Sequence, residues 1–324
     1  MSLNTEFKKE IAHKLQENNK SDATIKVYLR NLQLLNQGLP IKNLKFLEDT
    51  TKILDFINTK SQNTQRTYLI SIVGVYKAMG IKDNTKHYKI YHERMMQLNK
   101  KASLEQASGK PSETLKEEWV KWDEVVKTYE KYKKQFDEIS GKLPTKHEWD
   151  DILLPTMILA LYVLNPPRRS EDYTEAYIVK QKKEDKTKNY LILSDKKFYF
   201  NVFKTSKTAP EAEKTLEIPQ KLMAVINKYI KYHPKLNSKI TNTTEERFLI
   251  KFNGKPLNKI NGMTKELNKI FGKKVSSGML RHSYLTDKYF VVSEKMKKDA
   301  LAMGHSTATQ RTYIKDIVDT EIEV

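Results

Sequence analysis

The chain has 324 residues, enough for two domains that each bury a core, and its 59 Lys and Arg against 40 Asp and Glu give a formal net charge of +19. This charge favours a polyanionic partner, because each phosphate that a basic side chain neutralises releases condensed counterions. The absence of cysteine excludes disulfides, thiolate nucleophiles and cysteine-ligated zinc. Only 10 Gly and 10 Pro predict a mainly helical chain with short connections.

The sequence contains no signal for a membrane or for secretion. No segment approaches the roughly 18 consecutive apolar residues of a membrane span, and no basic stretch has the large aromatic face of an interfacial helix. Residues 1–10 lack the apolar run of a signal peptide. We therefore expect a protein that has no membrane partner and works in the cytoplasm or the nucleus, wherever its nucleic acid lies.

The first hundred residues predict a bundle of helices. Apolar side chains recur at helical spacing in five successive segments, 7–15, 25–35, 53–57, 68–76 and 88–98. Ser21 or Asp22 is expected to cap the second helix, and Gly80 is expected just after the fourth. We assign residues 1–102 to a helical domain. Residues 103–117 are polar, contain Ser, Gly and Pro, and predict a linker.

Residues 118–324 predict a second, larger domain. An amphipathic helix is expected over 118–138, and the segment 152–164 is so apolar that it predicts a central core helix. Strands are predicted at 190–193, 198–203 and 215–218, and helices near 220–232, 261–271, 278–290, 293–303 and 307–318. The predicted fold class is mainly α (α+β), with a small antiparallel β-sheet inside a helical domain.

A pair of arginines follows the predicted core helix. Two prolines in Asn165-Pro166-Pro167 end that helix and stiffen the turn, and Arg168 and Arg169 come next. A guanidinium held at the edge of a rigid core can bind two phosphate oxygens through its planar fork. The alternative is a surface pair bridged to Glu171 or Asp172, and the segment by itself leaves both open.

Two lysines, Lys204 and Lys207, lie at the predicted turn after the 198–203 strand. An ammonium group there can protonate a leaving alkoxide, although most lysines at the edge of a hairpin only increase solubility.

The last third of the chain then carries Arg281 and His282, His305 after a glycine, and Tyr313. A phenol is a poor nucleophile at its ordinary pKa of about 10, so a catalytic tyrosine needs arginines and a proton acceptor beside it. A single tyrosine is more often a packed aromatic side chain.

The order of these motifs resembles that of the tyrosine recombinases, the integrase family of phages, mobile elements and DNA viruses. The resemblance covers nearly the whole chain, because that family joins a helical core-binding domain to a catalytic domain. It rests on five motifs, Arg168-Arg169-Ser170-Glu171, Ser206-Lys207-Thr208, Leu280-Arg281-His282-Ser283, Met303-Gly304-His305 and Thr309-Gln310-Arg311-Thr312-Tyr313. It implies that the catalytic residues are Arg168, Lys207, Arg281, His305 and Tyr313, with Lys204 and His282 as alternatives.

One position departs from the family pattern. The family usually has a histidine or lysine three residues before the second arginine, and here that position is Gly278. Ser276, Ser277, Lys273 or Lys274 can take its place, or His282 can change role. Help from a general base to the tyrosine is therefore the part of the resemblance with the least support in the sequence.

The resemblance implies a reaction without metal, cofactor or ATP. Tyr313 would attack a phosphate of double-stranded DNA to form a 3′-phosphotyrosyl link, with Arg168, Arg281 and His305 stabilising the phosphate and a lysine protonating the departing 5′-oxygen. A 5′-hydroxyl from a partner strand would then rejoin the DNA. The family works as four protomers on two DNA sites, so a homotetramer is expected. Residues 314–324 alternate apolar and acidic side chains and are expected to dock on a neighbouring protomer or to fold back in cis.

Two other functions remain open from the sequence. A type IB topoisomerase uses nearly the same chemistry but religates the same strand. A DNA-binding protein of the same fold that does not cut DNA would account for the glycine at position 278. A helical structural or RNA-binding protein would leave the order of the motifs unexplained.

Overall fold

Helices form most of the structure, and one small sheet lies in its second part. The computed structural model describes residues 6–141, 143–205, 214–236, 239–259 and 261–314. The chain divides into two compact units, Met1–Pro111 and Ser112–Val324. The fold is mainly α with a minor β component, as the sequence predicts. None of the helices in the described ranges is both long and apolar enough to span a bilayer.

The first unit is a bundle in which each of the five predicted segments forms a helix. The helices are α1 (Glu6–Glu17), α2 (Asp22–Leu35), α3 (Thr50–Asn58), α4 (Gln62–Ala78) and α5 (Lys86–Ala107), and a 3₁₀ turn, Lys45–Leu47, precedes α3. Helix α4 packs against the other four, because apolar residues occur on more than one of its faces.

The ends of these helices follow the expected capping chemistry. Ser21 is the N-cap of α2, and its hydroxyl oxygen accepts a hydrogen bond from the Thr24 amide at 3.3 Å. Gly80 follows α4 with a φ of 70°, a left-handed conformation that strains residues with a side chain. This conformation lets the Ile81 amide donate to the Tyr76 carbonyl at 2.9 Å and close the helix end.

The predicted linker contains helical residues. Helix α5 extends to Ala107, and a short helix, α6 (Glu113–Glu117), follows. Residues 108–112 therefore form the non-helical connection between them. Residues 104–107 are Leu, Glu, Gln and Ala, which all favour a helix, so the absence of an apolar periodicity does not by itself end the helix there.

The second unit is built around one buried helix. A π-helical turn, Glu148–Leu153, continues directly into α8 (Leu154–Val163), whose residues from Leu154 to Tyr162 are all buried. The other helices are α7 (Trp122–Glu138), α9 (Ser170–Thr174), α10 (Gln220–Lys231), α11 (Gly262–Phe271), α12 (Ser277–Ala302) and α13 (Thr307–Tyr313). Helices α7, α10 and α11 pack on α8 and cover it, as expected for a segment without a polar face.

The sheet has five strands in the order β4-β3-β2-β1-β5. The strands are β1 (Ala176–Val179), β2 (Asn189–Ile192), β3 (Lys197–Tyr199), β4 (Thr215–Glu217) and β5 (Glu246–Arg247). Strands β1 and β5, which are only four and two residues long, were not predicted from the sequence. The predicted strand 198–203 is too long, because β3 ends at Tyr199.

The sheet is mixed, so the prediction that it is wholly antiparallel is wrong. Strands β1 and β2 are parallel, with Ala176 opposite Asn189, whereas the other pairs are antiparallel. The connection 180–188 can span about 30 Å when extended, and β1 is only about 13 Å long. The chain can therefore return to the start of β1 before β2 begins.

Helix α12 is continuous from Ser277 to Ala302, so the prediction of separate helices at 278–290 and 293–303 is wrong. No glycine or proline lies between the two predicted segments, and nothing in the local sequence ends the helix. Its first two turns carry the buried residues Met279, Leu280 and Ser283. Further along, large apolar side chains are exposed, namely Leu285, Tyr289, Phe290, Val291 and Val292.

Candidate functional site

Arg168 is held in one orientation at the end of the buried helix α8. The turn after α8 brings it directly before α9, and its Nε donates to the Asp172 Oδ2 at 2.9 Å. Its guanidinium carbon lies 4.0 Å from the centroid of the Phe200 ring, within the range of a cation–π contact. The Arg168 side chain keeps 21% exposure. A fixed, partly exposed guanidinium is suited to binding a phosphate.

Asp172 is the buried partner of this arginine. Its side chain is 5% exposed, so the pair differs from the surface ion pair that the sequence left open as an alternative. Burial raises the pKa of the Asp172 carboxyl above its ordinary value, and the charge of Arg168 works in the opposite direction. Desolvation of the carboxylate therefore outweighs the ion pair, and the contact orients Arg168 at a cost in solvation.

The segment after β3 carries Lys204 and lies against the turn that precedes α9. Arg169 Nη1 donates to the Thr205 Oγ1 at 3.4 Å, and the Arg168 guanidinium also lies 5.8 Å from the Phe203 ring centroid. Lys204 is exposed and borders a cavity of about 240 Å³ together with Glu171, Asn189 and Phe203. Lys207, the first choice from the sequence, lies outside the described residues.

Arg281 lies in the second turn of α12 and is half-buried. The charges of Arg281 and Asp172 both influence the pKa of the same buried group, the Tyr162 hydroxyl. Burial raises the pKa of the Tyr162 hydroxyl in α8, the neighbouring Tyr173 and Asp172 raise it further, and the Arg281 charge opposes the rise. Both Arg281 and the Arg168 partner, Asp172, are thus within electrostatic reach of the Tyr162 hydroxyl. The neighbouring His282 is exposed.

Four residues near Gly278 are candidates to replace the basic side chain that the family has at this position. Two of them, Ser276 and Lys273, already have other hydrogen-bond partners. The Ser276 side chain caps α12 by accepting a hydrogen bond from the Met279 amide at 3.2 Å. Lys273 Nζ donates to the Trp119 carbonyl at 2.9 Å. Lys274 is exposed and Ser277 is half-buried. Gly278 itself lies in the first turn of α12.

His305 and Tyr313 form a pair at the two ends of α13. Gly304 ends α12 with a φ of 73°, and His305 directly precedes Ser306, the N-cap of α13. The two rings are 5.5 Å apart between centroids and are inclined by 39°. His305 Nδ1 lies 3.3 Å from the Ser306 carbonyl oxygen, which can only accept, so Nδ1 is the donor in this contact. An imidazole that carries its single proton at Nδ1 has Nε2 as its acceptor.

His305 and Tyr313 contact each other, and among the described residues no hydrogen bond or ring contact joins them to Arg281. Helix α13 packs against α12, whose second half leaves the core. Tyr313 is 67% exposed, so it is not a packed aromatic residue of the core. The five proposed residues therefore fall into an arginine group beside α8, a His–Tyr group on α13, and Lys207.

Asn189 and Phe200 also contribute to this site, and neither residue was predicted from the sequence. Phe200 lies under the Arg168 guanidinium, and Asn189 connects the segment of Lys204 to α9. The signal for Asn189 is a polar side chain at the start of an otherwise apolar strand, Asn-Tyr-Leu-Ile. Such a residue needs buried hydrogen-bond partners, but the sequence alone does not say which groups supply them.

A basic groove lies on the face of the sheet that does not cover the main core. Lys182, Lys183, Lys186 and Lys214 border a space of about 720 Å³ beside Tyr199. The Lys182 ammonium lies 5.4 Å from the Tyr199 ring centroid. Part of the positive charge of the chain is therefore concentrated near the segment that carries Lys204, which suits a phosphate backbone.

Comparison with known proteins gives one likeness of fold. No protein-family model matches the chain, and no curated protein matches it. Among solved structures, the chain is similar to the crystal structure of XerA recombinase, with 14% sequence identity and a TM-score of 0.33. This likeness covers 96% of the present chain and 94% of the XerA recombinase chain.

Proposed function

We propose that this chain is a site-specific DNA recombinase that cuts and rejoins double-stranded DNA through a phosphotyrosyl link at Tyr313. The contact between an exposed tyrosine and an imidazole with an available Nε2 carries the proposal, because it supplies both a nucleophile and a proton acceptor. Their placement on the helix that follows α12, which carries Arg281, supports it further.

The arginines have the chemistry to stabilise the reacting phosphate. The Tyr313 hydroxyl gives its proton to His305 Nε2 as its oxygen attacks the phosphorus, the bond to the 5′-oxygen breaks, and a lysine gives that oxygen a proton. Arg168 and Arg281 offset the charge that grows on the non-bridging oxygens, and the Nε2 proton that His305 has accepted forms a hydrogen bond to the phosphate. A 5′-hydroxyl of a second strand reverses these steps and joins the DNA in a new order, so the reaction needs no ATP.

Tyr313 has to approach the arginines for this reaction. We propose that assembly of four protomers on two DNA sites brings α13 to the arginine group, since the exposed apolar residues of α12 are available for contacts between protomers. The tail 314–324 is proposed to dock on a neighbouring protomer. The helical first unit and the basic groove are proposed to hold the duplex through its backbone.

Covalent trapping tests the nucleophile. A random-sequence duplex library is incubated with the protein in EDTA. Each duplex carries a nick, because loss of the cleaved strand at the nick prevents religation. We expect wild type to form an adduct that resists denaturant and Tyr313→Phe to form none. Tyr132→Phe, which alters a half-buried tyrosine of α7 outside the site and outside the exposed residues of α12, is the control and should react as wild type does.

The outcomes separate the competing functions. Persistence of the adduct in Tyr313→Phe would rule out Tyr313 as the nucleophile, and loss of the adduct in the control variant would show that the effect is not specific to Tyr313. DNA binding without any adduct from wild type would indicate a DNA-binding protein that does not cut. An adduct with relaxation of supercoiled DNA, but no joining of two duplexes, would indicate a topoisomerase.

A further inference from the structure

We propose that Asn189 is a positioning residue that holds the Lys204 segment against α9, the helix that follows Arg168, so that the Lys204 ammonium reaches the departing 5′-oxygen. This inference rests on the proposed function and adds to it a residue for the protonation step. Asn189 is 1% exposed and begins strand β2, opposite Ala176 of β1. It therefore projects from a fixed element of the sheet.

The Asn189 side chain makes three hydrogen bonds to main-chain groups of two separate segments. Its Nδ2 donates to the Asp172 carbonyl at 3.2 Å and to the Val202 carbonyl at 2.9 Å. Its Oδ1 accepts from the Val202 amide at 2.8 Å. Asp172 is in α9, four residues after Arg168, and Val202 is two residues before Lys204. One amide group thus links the helix that follows Arg168 to the lysine segment.

Only an amide of this length provides the required donors and acceptor. A carboxylate has no proton to give to the two carbonyls, and alanine leaves the Val202 amide and both carbonyls without the side-chain partner. The Phe200 amide still donates to the Lys214 carbonyl at 2.7 Å, and residues 201–205 lie outside any strand. Side-chain contacts such as those of Asn189 therefore help to fix the path of residues 201–205. The contacts of Arg168 with Phe200 and of Arg169 with Thr205 join the same two segments.

This link has a consequence for the chemistry of the site. As the bond between phosphorus and the 5′-oxygen breaks, the Lys204 ammonium transfers one proton to that oxygen and becomes a neutral amine. General acids of this kind contribute about 100-fold or more to rate, and only when they lie within hydrogen-bond reach of the leaving group. Loss of the Asn189 link should therefore slow the protonation of the leaving group in particular.

A substrate with a better leaving group tests this role. In a nicked duplex recovered from the trapping library, the 5′-bridging oxygen at the cleavage site is replaced by sulfur, which leaves as a thiolate without a proton. We expect Asn189→Asp to cut the oxygen substrate about 100-fold more slowly than wild type and the sulfur substrate at nearly the wild-type rate. Lys204→Ala should show the same pattern.

Two controls separate positioning from a general loss of structure. Arg168→Ala should stay slow on both substrates, because a better leaving group does not replace the phosphate contact. Asn31→Asp alters a buried asparagine of the first unit, whose Nδ2 donates to the Ser71 hydroxyl at 2.9 Å, and should leave the ratio of the two rates unchanged. If Asn189→Asp does not fold, Asn189→Ser, which keeps a hydroxyl, is measured instead.

Each result decides the inference. Equal slowing of both substrates in the Asn189 variant, or wild-type rates on both, overturns it. Rescue by sulfur in Lys207→Ala and not in Lys204→Ala overturns the assignment of Lys204. If wild type forms no adduct with either substrate, the proposed function itself fails, and the inference fails with it.

Discussion

At the scale of single residues, burial decides what the charged groups of this site can do. Arg168 and Asp172 are four positions apart, and the sequence allowed an ordinary surface pair between them. In the fold, the carboxylate is buried under the end of α8, and its raised pKa shows that the loss of water outweighs the nearby arginine. The pair is thus a means of orienting Arg168 rather than a source of stability.

His233 provides a prediction of pH dependence. Burial lowers its pKa to about 4, and both ring nitrogens have partners that suit the neutral form: Nε2 donates to the Arg247 carbonyl at 3.0 Å, and Nδ1 accepts from the Lys235 amide at 3.3 Å. The unfolded chain therefore binds a proton that the fold excludes, and stability falls as the pH drops from about 6.5 towards 4. We expect a loss of about 2 kcal/mol between about pH 7.5 and 5.

Urea unfolding of wild type and His233→Gln at both pH values measures this loss. The variant should lack that part of the pH dependence, because glutamine does not titrate. His13→Gln, at an exposed histidine of α1, should behave as wild type does. A pH dependence that is the same in all three proteins would show that His233 is already accessible to protons in the fold.

At the scale of elements, α12 shows how a long helix can belong to the core in one part and leave it in another. Ser276 begins the helix, and Met279, Leu280 and Ser283 attach its first turns to the core. The helix then continues past Ser283 because no residue ends it, and it carries His305 and Tyr313 beyond its C-terminus. One uninterrupted helix therefore separates Arg281 from His305 and Tyr313 along the chain.

Gly278 in the first turn of this helix can accept a side chain. A Cβ there would meet only the Ser276 Oγ, at an ordinary 3.4 Å. We expect Gly278→Ala to raise the free energy of unfolding by about 0.5–1 kcal/mol, because alanine has less backbone entropy to lose. Under the proposed function, Gly278→His should fold and increase the single-turnover rate of cleavage.

Gly262 is the matched control in the first turn of α11. A Cβ at Gly262 would lie 2.9 Å from the Leu257 Cβ and 3.0 Å from its backbone carbon, so Gly262→Ala should destabilise the protein. Thermal melts of the two alanine variants compare these effects. A destabilised Gly278→Ala would mean that the first turn of α12 has less space than its geometry indicates.

At the scale of the whole molecule, the distribution of charge and apolar surface indicates what the protein binds. The net charge of +19 and the lysine groove on the sheet suit a DNA backbone. The exposed apolar residues of α12 form a contiguous sequence from Tyr289 to Val292, which is unusual for a surface that meets only water. These two surfaces are the ones expected to be covered in an assembly on DNA.

Val291, which is 78% exposed, tests the second surface. We expect Val291→Lys to change the free energy of unfolding of the protomer by less than about 0.5 kcal/mol, and to weaken the proposed four-protomer complex on DNA. Urea unfolding and sedimentation of protein–DNA complexes measure the two effects. Leu280→Ala, at a buried residue of the same helix, should instead cost about 2–5 kcal/mol of protomer stability. A similar cost for Val291→Lys would contradict an exposed position.

The sequence by itself determined the helical class, the buried helix α8 and the capping at Ser21 and Gly80, because apolar periodicity and capping depend on neighbours along the chain. It also determined the order of motifs from Arg168 to Tyr313. The continuity of α12 also follows from the local sequence, because no residue between its two predicted segments ends a helix. Only the tertiary structure decided that β1 and β2 are parallel and that Asn189 joins the Lys204 segment to α9. These two features depend on contacts between separate segments of the chain, and such contacts leave no periodic pattern in the local sequence.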